Sequence, residues 1–422
     1  MNSTKKNRWL IAASAIAIHV SIGAAYAYSV YTQPLVETKG WSVASVTTAF
    51  TIMMVLGGGS AALFGKFVEK KGPKKSAMLA AVLFSLGQAG SGFAISMDSL
   101  PMFLLSYGLL SGLGLGIGYI SPVSTLVKWF PDKRGLATGM AVLGFGTGAL
   151  ITAPVAASLI ESLGISFTFY ILGGSYFIMM MLGASYIAPP PKNWMPENMK
   201  VAVEAGTQKI KMDLKQATGS EAVRTKHFWM LWGMMLINTS AGIMMISVAS
   251  PMAQNIVGLS AGAAATMVGL MGIFNGGGRL GWAAASDYIS RPKVFIIFFI
   301  IQLIAFIILP LTVSSFVFQI LIFLVVSCYG GGFSNLPAFI GDLFGTKELG
   351  AIHGYLLTTW SLGGLIGPTL VSQIYTRTGS YIPVFYVFIG LIIIALLLSL
   401  LLDRSIKKAR QKLDADIMSI TG

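Results

Sequence analysis

The sequence predicts an all-α integral membrane protein in which twelve transmembrane helices form two pseudo-symmetric bundles of six. Three observations lead to this fold class. Only 10% of the 422 residues are charged and 55% are hydrophobic, whereas a soluble domain carries about 25% charged residues. Charge-free segments of about 20 residues or more, the length that spans a bilayer, recur along the whole chain. Two charged motifs of the first half also recur in the second, which indicates an internal repeat.

The predicted spans follow from the lengths of the charge-free segments. Eight segments hold one span each, and two longer segments hold two each, with breaks near Pro310 and at 251–260. The first span follows a basic leader but is much longer than the apolar core of a signal peptide, so we expect it to remain in the protein. The predicted helices cover residues 9–36, 42–67, 76–97, 100–128, 135–161, 166–188, 227–255, 261–288, 293–312, 315–342, 349–376 and 380–402.

The positions of lysine and arginine predict the orientation of the chain, because cytoplasmic loops are enriched in these residues. With the N-terminus inside, 26 of the 29 lysines and arginines lie in inner segments, and two, Lys39 and Arg377, lie in outer loops. We therefore expect both termini in the cytoplasm, and a monomeric multi-pass protein in the lipid bilayer of the cell inner or plasma membrane. The net charge of +14 reflects this bias, so no nucleic-acid partner is expected.

A polar, proline-led and basic stretch, residues 189–226, divides the chain. We interpret it as a cytoplasmic linker between an N-terminal six-helix bundle, residues 1–188, and a C-terminal six-helix bundle, residues 227–402. A cytoplasmic tail, residues 403–422, follows. The internal repeat supports this division, since two parallel halves around an axis normal to the membrane are a known transporter design.

Arg279 is the one basic residue that cannot be placed at a membrane surface. It lies in an apolar stretch from Phe228 to Ser286 that holds no other formal charge. A guanidinium in hydrocarbon costs about 2.5 kcal/mol or more, so it persists only beside water, a counter-ion or a ligand. We interpret Arg279 as an anion-binding residue. The alternative is a packing arginine bonded to helix-end carbonyls.

The run from Gly65 to Lys75 resembles the loop signature of the major facilitator superfamily, Gly-x-x-x-Asp-Arg-x-Gly-Arg-Arg. Glu69 stands in place of the aspartate, and lysines replace the arginines. The resemblance covers nearly the whole chain and implies the major facilitator fold, in which helices 1, 4, 7 and 10 line a central cavity. It also implies a gating motif whose charge contacts stabilise the outward-open state, formed by Gly65, Glu69 and Gly72 and, in the second half, by Asp287 and Arg291.

The run Trp129-Phe-Pro-Asp-Lys-Arg-Gly-Leu-Ala-Thr-Gly139 is similar to the oxalate/formate antiporter family and its monocarboxylate-transporting, lactate-type relatives. In that family a helix 8 arginine binds the substrate carboxylate, and it maps onto Arg279. Oxalate exchangers carry a second cation, a helix 11 lysine, where this chain has Trp360, so one carboxylate is favoured over two. Animal monocarboxylate transporters carry an aspartate, to which a proton-carrying role is assigned, where this chain has Asn275.

A count of 1.5 Å per helical residue predicts a position near mid-depth for four further candidates, His19, Tyr119, Tyr329 and Trp360, whereas Tyr28 and Tyr381 lie nearer the ends of their spans. Asn275 is one turn from Arg279 on the same face and can orient the guanidinium or bind a substrate oxygen, or else bond to another helix. His19 is a proton-coupling candidate, or a neutral ring bonded to a neighbouring helix. The remaining substrate-binding candidates are aromatic, with core packing or membrane anchoring as alternatives, and comprise Tyr28, Tyr119, Tyr329, Phe333, Trp360 and Tyr381.

These features predict a secondary active transporter of small monocarboxylates, such as lactate, pyruvate, formate or acetate, that works by alternating access in symport with H⁺. An exchanger of carboxylate anions is the near alternative, and a transport-inactive carboxylate receptor is the alternative of another class. No enzyme is expected, because the sequence carries neither a metalloprotease nor a serine-hydrolase motif. A lone cysteine, Cys328, provides no disulfide or metal framework, and no cofactor is expected.

Overall fold

The computed structural model describes residues 6–191, 194–205 and 213–421, and all regular structure in these ranges is helical. The first half contains α1 (Arg8–Gly23), a 3-10 turn (Ala24–Ala27), α2 (Ser29–Lys39), α3 (Val43–Ser96), α4 (Leu100–Phe103), a π-helical segment (Leu104–Leu110), α5 (Ser111–Trp129), α6 (Arg134–Leu163) and α7 (Ile165–Tyr186). Two short helices follow, α8 (Glu197–Glu204) and α9 (Gly219–Ala222). The second half contains α10 (Lys226–Val257), α11 (Ala261–Ile289), α12 (Arg291–Ile308), α13 (Ser315–Phe344), α14 (Leu349–Thr378) and α15 (Ile382–Thr421).

The predicted fold class, with its twelve membrane spans, is confirmed. Among the described residues, nine helices are long and apolar enough to cross a membrane. One of them, α3, consists of two spans joined across a kink at Gly72, where φ is 80° and ψ is 166°. Two further helices, α11 and α14, have the length of a span but a more polar composition, which in α11 includes Asn275 and Arg279.

Polar caps mark the helix starts close to the predicted breaks. The Ser260 side chain accepts a hydrogen bond from the backbone of Ala263 at the start of α11, directly after Gly258 ends α10 in a left-handed conformation. Ser314 caps α13 in the same way. A side-chain oxygen at this position satisfies a backbone N–H that the helix itself leaves without an acceptor, so the two long apolar segments each divide into two spans.

Some boundaries differ from the prediction. The charged loop expected between residues 67 and 76 is helical on both sides of Gly72, because Glu and Lys are good helix formers and only the glycine needs a non-helical conformation. The predicted tail, residues 403–422, continues α15 as helix up to Thr421. The first span is interrupted by the 3-10 turn before Tyr28.

The chain forms two compact units. Unit 1 comprises residues 1–208 and 350–361, and unit 2 comprises residues 209–349 and 362–422. The beginning of α14 therefore packs within unit 1 although it follows α13 in the sequence. In unit 1 the long helix α3 packs against α5 and α7, and in unit 2 α11 packs against α13. These two packed groups carry most of the candidate site residues.

Candidate functional site

Arg279 lies on α11 and is almost completely buried, with 1% of its surface exposed. Its Nε donates a hydrogen bond to the side-chain oxygen of Asn275 at 3.2 Å. The two residues are four apart, so they share one face of the helix. Asn275 therefore contacts the guanidinium through an amide that adds no competing charge.

Two aromatic residues of α13 stand beside this pair. The guanidinium carbon of Arg279 lies 5.9 Å from the centroid of the Phe333 ring, within the range of a cation–π contact. The ring of Tyr329 packs edge-on against Phe333 with the centroids 5.3 Å apart. Unit 2 thus brings four predicted residues into one group, which we call the arginine group: Asn275, Arg279, Tyr329 and Phe333.

Glycines explain why α11 and α13 approach each other so closely at this point. A Cβ atom on Gly278 would lie 2.3 Å from the carbonyl oxygen of Ser327, and one on Gly330 would lie 2.3 Å from the carbonyl oxygen of Asn275. Any larger residue would separate the backbones of the two helices. The glycine runs at 276–278 and 330–332 are therefore packing features that hold the arginine group together.

The arginine group is chemically suited to an anion. A guanidinium carries five N–H donors in a planar fork that matches a carboxylate in two parallel hydrogen bonds. The bond to Asn275 uses the Nε donor, which fixes the plane of the fork. Burial among apolar rings strengthens the attraction for a negative charge, because little water screens it.

A second group of predicted residues meets in unit 1. The ring of Tyr119 on α5 stacks on that of His19 on α1, with the centroids 5.0 Å apart, and lies 5.9 Å from that of Trp360. The Nε2 atom of His19 donates a hydrogen bond to the carbonyl oxygen of Tyr119 at 3.1 Å. This bond links α1 to α5, and the role of His19 in proton coupling stays a prediction.

Three members of the same group were missed in the sequence. The ring of Phe145 lies 5.4 Å from that of Tyr119, and the ring of Tyr26 lies 5.0 Å from that of Phe145. His353 is fully buried, with its ring 5.8 Å from that of Tyr119. Its position inside the predicted span 349–376 was a usable signal, whereas nothing in the sequence distinguished Tyr26 and Phe145 from other aromatic residues.

Two predicted residues lie elsewhere. The Tyr28 hydroxyl donates a hydrogen bond to the carbonyl oxygen of Val46, and its ring packs 4.8 Å from that of Tyr107. Tyr381 stacks on Tyr375 at 4.3 Å, between α14 and α15. These contacts suit helix packing, and a role for either residue in substrate binding stays a prediction.

The gating residues of the first half form a charged contact in unit 1. Glu69 accepts a hydrogen bond from Lys128 Nζ at 2.9 Å and another from the backbone N–H of Gly350 at 2.7 Å. A Cβ atom on Gly65 would lie 2.5 Å from the Cα atom of Ala351. The motif therefore fastens the beginning of α14 to α3, and its glycine permits the contact.

The matching motif of the second half is built around Arg291. Its guanidinium pairs with Asp287 at 2.6 Å, donates to Ser286, and lies 3.7 Å from Asp342 on α13. Ser290 takes the left-handed backbone conformation that Gly72 takes in the first half, with φ of 77°. In each half the motif thus contacts a charged residue at the end of a later helix, Lys128 at the end of α5 and Asp342 at the end of α13. The sequence did not predict these two partners.

The fold and these paired motifs define the class of protein. The sequence matches the family model of the Major Facilitator Superfamily over residues 13–282 and 235–417, which together include nearly the whole chain. The chain belongs to this superfamily. Among solved structures, the proton:xylose symporter XylE superposes with a TM-score of 0.70 at 15% identity, covering 94% of this chain and 95% of that one, a likeness that shows the fold.

Two curated relatives narrow the comparison. The oxalate:formate antiporter of Oxalobacter formigenes is 29% identical over 376 residues, covering 88% of this chain and 86% of the relative. Monocarboxylate transporter 12 of Xenopus laevis is 25% identical over 322 residues, covering 73% and 69%. The predicted resemblance to the oxalate/formate and monocarboxylate branch of the superfamily is confirmed.

Proposed function

We propose that this protein is a secondary transporter of small monocarboxylates and that Arg279 binds the substrate carboxylate. The observation that carries the proposal is a buried guanidinium, oriented by Asn275 and flanked by the rings of Tyr329 and Phe333. Lactate, pyruvate, formate and acetate are the expected substrates. The names of the relatives, an oxalate:formate antiporter and a monocarboxylate transporter, support a substrate of this chemical class.

One carboxylate suits the site better than two. Trp360, at the position where the resemblance places the second cation of oxalate exchangers, is buried among the rings of Tyr26, Tyr119 and Phe145. An indole ring at this position provides no partner for a second negative charge. Oxalate is therefore expected to compete weakly.

Transport is proposed to proceed by alternating access, with the two charged motifs as latches. Breaking the contacts from Glu69 to Lys128 and Gly350 would release the beginning of α14 from α3, and Arg291 provides the corresponding contact in unit 2. Substrate shifts the populations of the alternating states only through different affinities for them.

Coupling to H⁺ is the first candidate for the energy source, and His19 is the candidate proton carrier predicted from the sequence. Exchange of one carboxylate for another is the second candidate. It is favoured by the 29% identity to an antiporter.

Uptake of labelled lactate into proteoliposomes tests the proposal. An inward proton gradient is compared with preloading of unlabelled lactate, and formate, acetate, pyruvate and oxalate serve as competitors. Accumulation driven by the gradient indicates symport, uptake only into preloaded vesicles indicates exchange, and strong competition by oxalate would contradict a monocarboxylate site.

Arginine variants connect the transport to the site. Arg279→Ala should abolish uptake under both conditions, and Arg279→Lys should reduce it about tenfold or more, because lysine lacks the bidentate fork. Arg377→Lys is the matched control, since Arg377 is exposed at the end of α14. Uptake that survives in Arg279→Ala would contradict the assignment of the carboxylate to Arg279.

A further inference from the structure

His353 is a buried ionisable residue that has no role in the proposed carboxylate site. It lies in the first turns of α14, within unit 1, and none of its surface is exposed. Within the described part of the chain, neither of its ring nitrogens has a hydrogen-bond partner. Most buried polar groups in native proteins do have a partner, so an imidazole with none on either side calls for an explanation.

The groups around His353 come from each helix that packs near it. On α5, the centroid of the Tyr119 ring lies 5.8 Å from that of the His353 ring. The ring of His19 on α1 stacks on the same tyrosine. On α3, Glu69 accepts a hydrogen bond from the backbone N–H of Gly350, three residues before His353, and is paired with Lys128 of α5. The acid is therefore already neutralised by a lysine, and the ring faces aromatic and imidazole groups.

These surroundings favour the neutral imidazole. A charged imidazolium without water or an anion would lose its hydration and gain nothing in return. His353 therefore takes up a proton only when water or a negative charge reaches it. His19 differs in this respect, because its Nε2 already donates to a backbone carbonyl.

The packing of α14 explains how water would be admitted. A Cβ atom on Gly354, the next residue, would lie 2.0 Å from the carbonyl oxygen of Ala61 on α3, so the two helices are in direct backbone contact there. Glu69 fastens the same segment through Gly350. While this contact persists, His353 is sealed, and separation of α14 from α3 would hydrate its ring.

We propose that His353 takes up and releases the proton that accompanies the carboxylate. The ring nitrogen that bears the lone pair forms the new N–H bond when the proton arrives, and the same bond breaks when the proton leaves to water on the other side. This inference rests on the proposed function and replaces His19 as the carrier.

Charge balance supports this pairing. The arginine group is positive when empty, and a bound carboxylate cancels that charge. A proton taken up by His353 restores it, so the protein would carry the same net charge when empty and when loaded. If the transporter changes conformation readily only in this charge state, it does so when it is empty or when it has bound both the anion and the proton. Transport of the two together is symport.

Proton uptake on binding tests the proposal without transport. Lactate is added to purified protein in weakly buffered solution near pH 7 that contains a pH indicator. The wild type should take up about one proton for each lactate bound. His353→Gln, which keeps the size and polarity but cannot titrate, should bind lactate with almost no uptake. The matched His227→Gln, at the start of α10 and in hydrogen-bond contact with Ser405, should take up as much as the wild type.

Transport of the same variants gives the second measurement. In His353→Gln, uptake driven by a proton gradient should fall at least about tenfold relative to exchange of labelled for unlabelled lactate. Exchange by the variant also shows that it is folded. If His353→Gln does not fold, the ¹⁵N NMR signals of the imidazoles in the wild type test the proposal instead. The chain has only 3 histidines, so the signals can be assigned. The His353 signal should move toward that of the protonated form when lactate is added.

The outcomes separate the two proposals. Loss of binding in Arg279→Ala with intact proton uptake in His353→Gln would contradict the role of His353 and leave the carboxylate site standing. Lactate binding by Arg279→Ala would instead contradict the carboxylate site. A wild type that exchanges lactate but takes up no proton would overturn the inference and establish the exchanger.

Discussion

At the scale of single residues, the pair formed by Asn275 and Arg279 is the part of the site that the sequence predicts best. An isolated arginine in a charge-free span and an amide four residues before it are visible without a structure, and the bond between them has the expected geometry. An amide holds the guanidinium in place and leaves its charge for a ligand. An aspartate at the same position would compete with that ligand.

Asn275→Asp is therefore expected to weaken lactate binding at neutral pH by about tenfold or more, because hydrogen bonds to charged groups contribute about 1.5–3 kcal/mol. The new carboxylate would lie next to Arg279 Nε and pair with the guanidinium. Titration calorimetry measures the effect, with Asn275→Ala as the uncharged control. Equal affinities for the two variants would show that charge competition does not occur.

Other residues of the site could not be predicted in this way. Phe145 and His353 meet Tyr119, and Tyr26 meets Phe145, through contacts between four different elements, α6, the 3-10 turn, α14 and α5. Such contacts depend on the rotation of each helix about its axis, which the position of a residue in a span does not specify. The position of a residue along its span is visible in the sequence, and the direction of its side chain is not.

At the scale of secondary structure, the crossing of α11 and α13 determines where Arg279 stands. Gly278 touches the backbone of Ser327, whereas no atom of the described residues lies within 4 Å of a Cβ atom added to Gly277, its neighbour on the same helix. Two adjacent glycines thus have opposite tolerance for a methyl group. The glycine run was evident in the sequence, but not which of its members is in contact.

Gly278→Ala is expected to lower the melting temperature and to weaken lactate binding at least about tenfold, because a backbone contact cannot yield as a flexible side chain can. Gly277→Ala should leave binding unchanged and add about 0.5–1 kcal/mol of stability, since alanine favours a helix more than glycine does. Thermal unfolding with and without lactate measures both effects. Similar behaviour of the two variants would contradict the packing described for this crossing.

The turns at Gly72 and Ser290, each between two spans, share a backbone conformation but differ in residue type. Gly72 and Ser290 occupy matching positions of the repeat, with φ of 80° and 77°, yet only one of them is a glycine. A residue with a side chain in this region costs about 1–3 kcal/mol. The sequence pattern predicted the turn but not the strain at the serine.

Ser290→Gly should therefore raise the melting temperature, as the relief of strain exceeds the entropy that a glycine loses on folding. Gly72→Ser, the reciprocal change, should lower it. Both are measured by thermal unfolding in the same detergent. A lower melting temperature for Ser290→Gly would mean that the contacts of its side chain outweigh the backbone strain.

At the scale of the whole molecule, composition and charge were enough to predict twelve spans, and the resemblance of residues 65–75 and 129–139 to known motifs predicted the superfamily. The two compact units were not predictable in detail, because residues 350–361 pack with the first half through glycine contacts that no periodicity reveals. The orientation in the membrane remains a prediction from the 26 lysines and arginines assigned to inner segments.

Fusion of alkaline phosphatase or green fluorescent protein to the C-terminus tests that orientation. Fluorescence without phosphatase activity is expected, because the phosphatase folds only outside the cytoplasm and the fluorescent protein only within it. A phosphatase fused after Arg377, in a predicted outer loop, is the control and should be active. The reverse pattern would place both termini outside.

Calorimetric binding of lactate and of lactamide, its neutral isostere, is the most direct test of the central claim that Arg279 recognises a carboxylate. The predicted result is a preference for lactate of about tenfold or more, which disappears in Arg279→Ala. Equal binding of the two compounds, or a preference for lactate that survives the substitution, would contradict that claim.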